Sequence, residues 1–306
     1  MCSLFGIYDY RGALNGYQRN KAVNVLAREA ETRGKDATGI AYNHKGKMVI
    51  FKKALPAHKM RFRIPFGTRV VMGHTRLTTQ GSEKNNENNH PFCSRNFALA
   101  HNGVLVNDQS LRISQDLPRT NIETDSYVAV QLLEKEGTLD FNAIRSMAEK
   151  LRGSFCFSIL SSSNELYLVK GDNPLEIYDF KENGFCMYAS TKEILNRSLK
   201  QLKLKELKYM NIRPVTGEIL KLDRKGNWSK AEFDFHWRYD YSQKSITRSF
   251  GDKANWEMLL DYGESLGYYR SDLMLLAEYG FEEDEIEEML MSPRLMNDFL
   301  YGGMVY

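Results

Sequence analysis

Cysteine is scarce in this chain of 306 residues: Cys2, Cys93, Cys156 and Cys186 are the only four, and no two form a CxxC pair. That spacing excludes a disulfide framework and a cysteine-based zinc site, and no other metal or cofactor is expected. Phosphate cradles are missing as well, since neither GxGxxG nor a P-loop occurs. No apolar run approaches the ~18 residues that span a bilayer. The first residues, Met1 to Tyr8, lack the basic leader and long apolar stretch of a signal peptide. These absences predict a cytoplasmic protein without membrane contact. With 42% hydrophobic and 26% charged residues, no low-complexity segment and no internal repeat, the composition is that of a globular chain with ample core.

The net charge of +3 is unevenly distributed. Residues 251–306 carry 13 acidic and 3 basic side chains, a net of −10, which leaves +13 on the preceding 250 residues. Segregation on this scale predicts separate modules. The basic run Arg197, Lys200, Lys203, Lys205, Lys208 alternates with leucines and has no aromatic stacking platform. It reads as a solvated face, and no nucleic-acid partner is expected.

Periodicity sketches the organisation. Cys2–Asp9 reads as a strand, and Val23, Leu26, Ala27 and Ala30 mark a helix over Asn15–Glu31. Strands are predicted at Ala37–Asn43, Lys47–Lys52, Arg69–Thr75, Phe97–His101, Ser154–Leu160, Leu166–Lys170, Glu176–Phe180, Phe185–Ala189 and Glu218–Leu222. A helix capped by Thr124 and another over Phe141–Leu151 lie between them. Cys93, Cys156 and Cys186 are expected as small buried hydrophobes in strands. The mixture is α+β rather than a parallel doubly wound sheet. A domain over 2–235, a linker over 236–251 and an acidic helical appendage over 252–306 are expected. The appendage should hold three helices, with Asp252 and Ser271 as N-caps, and Gly280 and Pro293 beyond helix ends. Leu273, Leu276, Ile286, Met289 and Leu290 would form its core.

The first chemical signal is positional. If an aminopeptidase removes Met1, Cys2 holds a thiol and a free α-amine on one residue. The amine, with an unperturbed pKa of about 7.7–8.0, can then accept the proton of the thiol, at about 8.5. Four segments follow: Arg33-Gly34-Lys35-Asp36-Ala37-Thr38-Gly39, Gly73-His74-Thr75-Arg76-Leu77-Thr78-Thr79-Gln80-Gly81, Leu99-Ala100-His101-Asn102-Gly103 and Glu123-Thr124-Asp125. Taken singly each is bland. Asn-Gly is the commonest tight turn, Arg76 could be a surface ion pair, and Asp125 could serve a helix dipole.

Together with Gly153-Ser154-Phe155, Ala189-Ser190-Thr191 and Thr216-Gly217-Glu218-Ile219, in this order behind an N-terminal cysteine, they resemble the glutaminase domain of class II (N-terminal-nucleophile) glutamine amidotransferases. The resemblance covers about residues 2–230. It implies a four-layer αββα sandwich with a small all-helical C-terminal appendage, L-glutamine as substrate, and hydrolysis through a Cys2 thioester. It assigns the oxyanion donors to the Asn102 amide and the Gly103 N–H. Recognition of the glutamine α-carboxylate falls to Arg76, with Thr79 as a further contact, and of the α-ammonium to Asp125. Arg33 and Gly34 would support the nucleophile. His74 and His101 are read as structural, because the terminal amine is the base. His90-Pro91-Phe92 reads as a loop-to-strand junction.

The chain departs from the family pattern at Leu77, where many members carry an aromatic residue, and at Gln80, where many carry histidine. Only about 70 residues follow the resembling region, too few for a synthase, so the ammonia acceptor is expected on a separate protein. Two rival readings stay open on the sequence: an N-terminal-nucleophile hydrolase of another amide, and a non-catalytic binding module on the same fold.

Overall fold

A computed structural model describes residues 2–235, 253–266, 268–278, 283–290 and 296. The linker expected at 236–251 and the helix signals at Asp252, Gly280 and Pro293 lie outside the described residues. The chain divides into two units, 1–240 and 241–306.

The first unit begins with β1 (Ser3–Tyr8), α1 (Gly16–Ala30), β2 (Ala37–His44), β3 (Lys47–Lys53), β4 (Val70–Arg76), β5 (Phe92–Cys93) and β6 (Phe97–Leu105). It continues through α2 (Asp108–Ser114), α3 (Tyr127–Glu136), α4 (Phe141–Lys150), β7 (Gly153–Ser161), β8 (Leu166–Lys170), β9 (Glu176–Phe180) and β10 (Phe185–Ala189). It ends with α5 (Lys192–Leu202), β11 (Met210–Ile212), β12 (Glu218–Leu222) and β13 (Trp228–Glu232). The strands form two antiparallel sheets, ordered β11-β9-β10-β1-β4-β2-β3 and β13-β12-β8-β7-β6-β5.

Strand alternation builds the layers. On β1, Phe5 and Ile7 pack outward with Leu26 of α1 and Leu195 of α5, whereas Leu4 and Tyr8 face the second sheet. There they meet Ala98 and Ala100 of β6, Cys156 of β7 and Leu168 of β8. The outer face of the second sheet buries Phe155, Phe157 and Val169 against Val128 and Leu132 of α3 and Ile144 and Met147 of α4. The result is the helix–sheet–sheet–helix sandwich expected from the sequence. Local signals agree with it. Asn15 caps α1 in a reciprocal box with Gln18, and Asp140 caps α4 through the Ala143 N–H.

Four local expectations are corrected, and three short elements went unforeseen. Strand β6 does not stop at His101 but runs to Leu105, so Asn102-Gly103 lies within a strand paired to Cys156 and Phe155, not in a turn. Thr124 does not cap α3. Its hydroxyl is buried without a partner, and the chain enters the helix through tight bonds from Tyr127 N–H and Val128 N–H to the Thr124 and Asp125 carbonyls. Cys93 is exposed rather than buried, because two-residue β5 is the edge of its sheet. Short α2, β11 and β13 carry too little periodic apolar pattern to be read from sequence. In the second unit, Ser271 lies inside a helix rather than at its cap, since the Tyr269 carbonyl already accepts the Asp272 and Leu273 amides.

That second unit comprises α6 (Lys253–Ser265), α7 (Arg270–Glu278) and α8 (Glu283–Leu290). Leu260, Leu273, Leu276, Ile286, Met289, Leu290 and Met296 form its buried core. Among the described residues, no helix is long and apolar enough to cross a membrane.

Candidate active site

Cys2 immediately precedes β1, and its partners come from two directions. The Leu77 N–H donates to Sγ at 3.4 Å, and the thiol is placed to donate to the Leu77 carbonyl at the same distance. Arg33 Nε donates to the Cys2 carbonyl at 3.0 Å, fixing the backbone beside the sulfur. Burial pushes the thiol pKa up, against smaller opposing effects from the Leu77 N–H and the Arg76 charge. The resting group is thus a neutral thiol that needs a base to become a nucleophile.

Register brings Arg76 alongside. Ser3 pairs with Thr75 across β1 and β4, so the next residues out, Cys2 and Arg76, are lateral neighbours. Alternation from Val70 and Met72 places His74 and Arg76 on the face toward the second sheet. Arg76 is buried and anchors the loop that follows it. Its guanidinium donates to the Gln80 carbonyl at 2.6 Å, the Gly81 carbonyl at 2.9 Å and Asn89 Oδ1 at 2.8 Å. Gly34 allows this strand end to be approached closely, for a Cβ there would come within 2.5 Å of the Arg76 carbonyl carbon. Thr79 lies exposed on the loop, while neighbouring Thr78 donates its N–H to Asp36 Oδ2 at 2.7 Å.

The second sheet supplies the other half. On β6, Asn102 shares the inward parity of Ala98 and Ala100 and is buried. Leu105 N–H donates to Asp125 Oδ2 at 2.6 Å from the strand edge turned away from β7. Phe155, opposite Gly103, gives its N–H to Asp172 at 2.9 Å and not to β6. By alternation the Gly103 N–H therefore lies on the same free edge as that of Leu105. Gly103 has φ = 144°, and a Cβ there would lie 1.9 Å from the Ser154 carbonyl oxygen, so only glycine fits. Asp125 is buried, and its second oxygen accepts from the Ser126 hydroxyl at 3.1 Å.

His74 and His101 belong to the support of the site. His74 Nε2 donates to the His101 carbonyl at 2.8 Å, and His101 Nδ1 lies 2.7 Å from Ser126 Oγ. Burial pushes the His74 pKa down to about 3 and lowers that of His101, so both rings are neutral near pH 7. Among the described residues, no group of histidine, cysteine and carboxylate side chains could hold a metal ion.

Residues 74–197, which contain the end of β4, β6 and α3, match the family model described as a glutamine amidotransferase domain. Over those residues the chain is similar to glutamine amidotransferases. It is 33% identical over 186 residues to glutamine–fructose-6-phosphate aminotransferase (isomerizing) of Bacillus cereus, a match covering 57% of this chain and 30% of that protein. A relative of the same name in Staphylococcus aureus is 31% identical over 188 residues, with the same coverage. This chain thus spans about a third of these relatives' length. Among solved structures, the glutamine phosphoribosylpyrophosphate amidotransferase of B. subtilis, complexed with ADP and GMP, superposes with a TM-score of 0.58. The identity is 21% and the match covers 77% of this chain and 50% of that one, a likeness of fold.

Within this amidotransferase fold, the loop after Arg76 is tied down by residues that sequence reasoning left without a role. Asn88 Nδ2 donates to Glu123 Oε2 at 2.7 Å, Asn88 Oδ1 accepts the Glu123 N–H at 2.9 Å, and Gln80 Nε2 donates to the Glu123 carbonyl at 3.0 Å. The available signal was the density of asparagine over residues 85–89, since asparagine offers both donor and acceptor to a loop without regular structure. Gln80, a departure from the family pattern, is a clasp in this chain.

Proposed function

We propose that the first unit hydrolyses L-glutamine to glutamate and ammonia, and that the ammonia passes to an acceptor on a separate protein. Cys2 Sγ attacks the side-chain amide carbon while the thiol proton moves to the α-amine of the same residue. The carbonyl oxygen becomes an oxyanion, held by Asn102 Nδ2 and the Gly103 N–H. Collapse of this adduct breaks the C–N bond, and the leaving nitrogen takes the proton back from the α-ammonium. Water then cleaves the thioester and releases glutamate. One observation carries the reading: Cys2 and Arg76 at the end of β1 and β4, and Asn102, Gly103 and Asp125 around the end of β6, lie where the two sheets meet. Arg76 and Asp125 offer opposite charges for the two α-substituents of an amino acid. Retention of both favours an amino-acid amide over a simple acyl amide, and the names of the aminotransferase relatives specify glutamine as nitrogen donor.

The test is a coupled assay for glutamate and ammonia with L-glutamine as sole substrate, run beside intact-mass analysis. An active preparation is expected to begin at Cys2, because the mechanism needs a free α-amine there. Activity from a chain that retains Met1 would sink the assignment of the base, and no activity from a chain beginning at Cys2 would sink the function.

Arg76→Ala is expected to act twice. Loss of a charge-assisted contact to the α-carboxylate, worth roughly 1.5–3 kcal/mol, raises KM for glutamine by about 10- to 150-fold. Loss of the bonds to the Gln80 and Gly81 carbonyls frees the loop, which hydrogen exchange would report as faster exchange over residues 78–82. Arg76→Lys should rescue little, because an ammonium lacks the fork that reaches several acceptors at once. An unchanged KM in the alanine variant would remove Arg76 from glutamine recognition.

A further inference from the structure

Ser190 belongs to one of the segments that carry the family resemblance, yet the mechanism above gives it no task. It lies between the last residue of β10 and Thr191, the N-cap of α5, so strand and helix both fix its backbone. It is completely buried. Its N–H donates to the Leu4 carbonyl at 3.0 Å, and its Oγ accepts the Leu4 N–H at 2.9 Å, closing a two-bond ring with the strand that follows Cys2. The same Oγ accepts from Asn102 Nδ2 at 3.4 Å. One hydroxyl thus joins the nucleophile's strand in the first sheet to the oxyanion donor in the second.

The chemistry of the amide makes this contact consequential. Asn102 Nδ2 has two protons, and an oxyanion needs one of them held at a fixed angle before the adduct forms. A proton directed at Ser190 Oγ sets the plane of the amide and leaves the other for the cleft. The contact is long for a hydrogen bond, as such contacts often are before a ligand tightens the site. Ser190 does not touch the reacting atoms; it acts through Asn102.

We infer that Ser190 is a positioning residue for the oxyanion donor, fixing the Asn102 amide relative to Cys2 by bonding to both sheets at once. The inference rests on the glutaminase reading, and its test separates the two. Glutamine hydrolysis would be measured in the full chain for wild type, Ser190→Ala, Asn102→Ala and the double variant, with thermal midpoints alongside. Losing one orienting hydrogen bond should lower kcat about three- to tenfold, with KM for glutamine moving less than about twofold. In the Asn102→Ala background the same change should cost less than about twofold in kcat, because nothing remains to be positioned. Equal losses in both backgrounds, or no loss in the single variant, would overturn the inference while leaving the glutaminase reading intact. An inactive wild type would overturn both.

Should Ser190→Ala fail to fold, Ser190→Thr and Ser190→Val provide the comparison at matched shape. Threonine keeps the hydroxyl and should exceed valine in kcat by the same three- to tenfold; equal kcat values would overturn the inference.

Discussion

Cys2→Ala is expected to abolish glutamine hydrolysis and leave the fold unchanged. Alanine keeps the β-carbon and the backbone N–H and C=O, so the bond from Arg33 to the Cys2 carbonyl survives, and the side chain is only half-buried. Among the described residues, the histidines and the other cysteines offer no substitute for the sulfur. His74 and His101 are neutral, buried and turned to a carbonyl and a hydroxyl. Cys156 and Cys186 are buried with thiols pushed up by desolvation, and Cys93 is remote in sequence and sits on an edge strand. The variant should therefore retain wild-type circular dichroism and still bind glutamine in calorimetry, with no turnover. Turnover above a few per cent would mean that the nucleophile lies elsewhere.

Asn102→Ala should lower kcat by roughly 10²–10³, the usual effect of deleting one oxyanion donor. The interaction forms only as charge develops on the amide oxygen, so KM should change little. Asn102 is buried, and its loss leaves Ser190 Oγ still bonded to the Leu4 N–H, so β1 keeps its place. A loss confined to KM would assign the residue to substrate binding, and an unchanged kcat would remove it from the oxyanion hole.

The site was legible in the sequence where chemistry and period coincide. One cleft for Cys2, Arg76, Asn102 and Asp125 followed from the resemblance that the Arg, Asn-Gly and Asp segments carry, not from strand parity, whereas β1, β4 and β6 begin within a residue of where alternation placed them. The conformation of Gly103 was not legible. Asn-Gly reads locally as a turn, and only the close approach of the Ser154 carbonyl reveals why a strand needs glycine there. The start of α3 was misread for a related reason. Thr124 has the chemistry of a cap, but Asp125 is drawn to Leu105, a contact between residues 20 apart. Ser190 was hidden by distance: its partners lie 186 and 88 residues away, and a serine at the end of a strand carries no local mark of such contacts. The clasp that Gln80 and buried Asn88 form with Glu123 depends likewise on geometry that composition alone does not encode.

The position of β1 within its sheet also sets an order of assembly. It is an interior strand, flanked by β4 on one side and by β10 on the other. During translation the segment bearing the nucleophile therefore emerges long before β10, the neighbour that completes its pairing. The Leu4–Ser190 contact closes across 186 positions, so the strand beside Cys2 is fully seated only after residue 190 has been made. A nascent chain stalled before residue 190 would lack the hydroxyl that joins Leu4 of β1 to Asn102 of β6. On the proposed mechanism, hydrolysis would therefore wait until both sheets have closed on each other, and an unfinished chain would not consume glutamine.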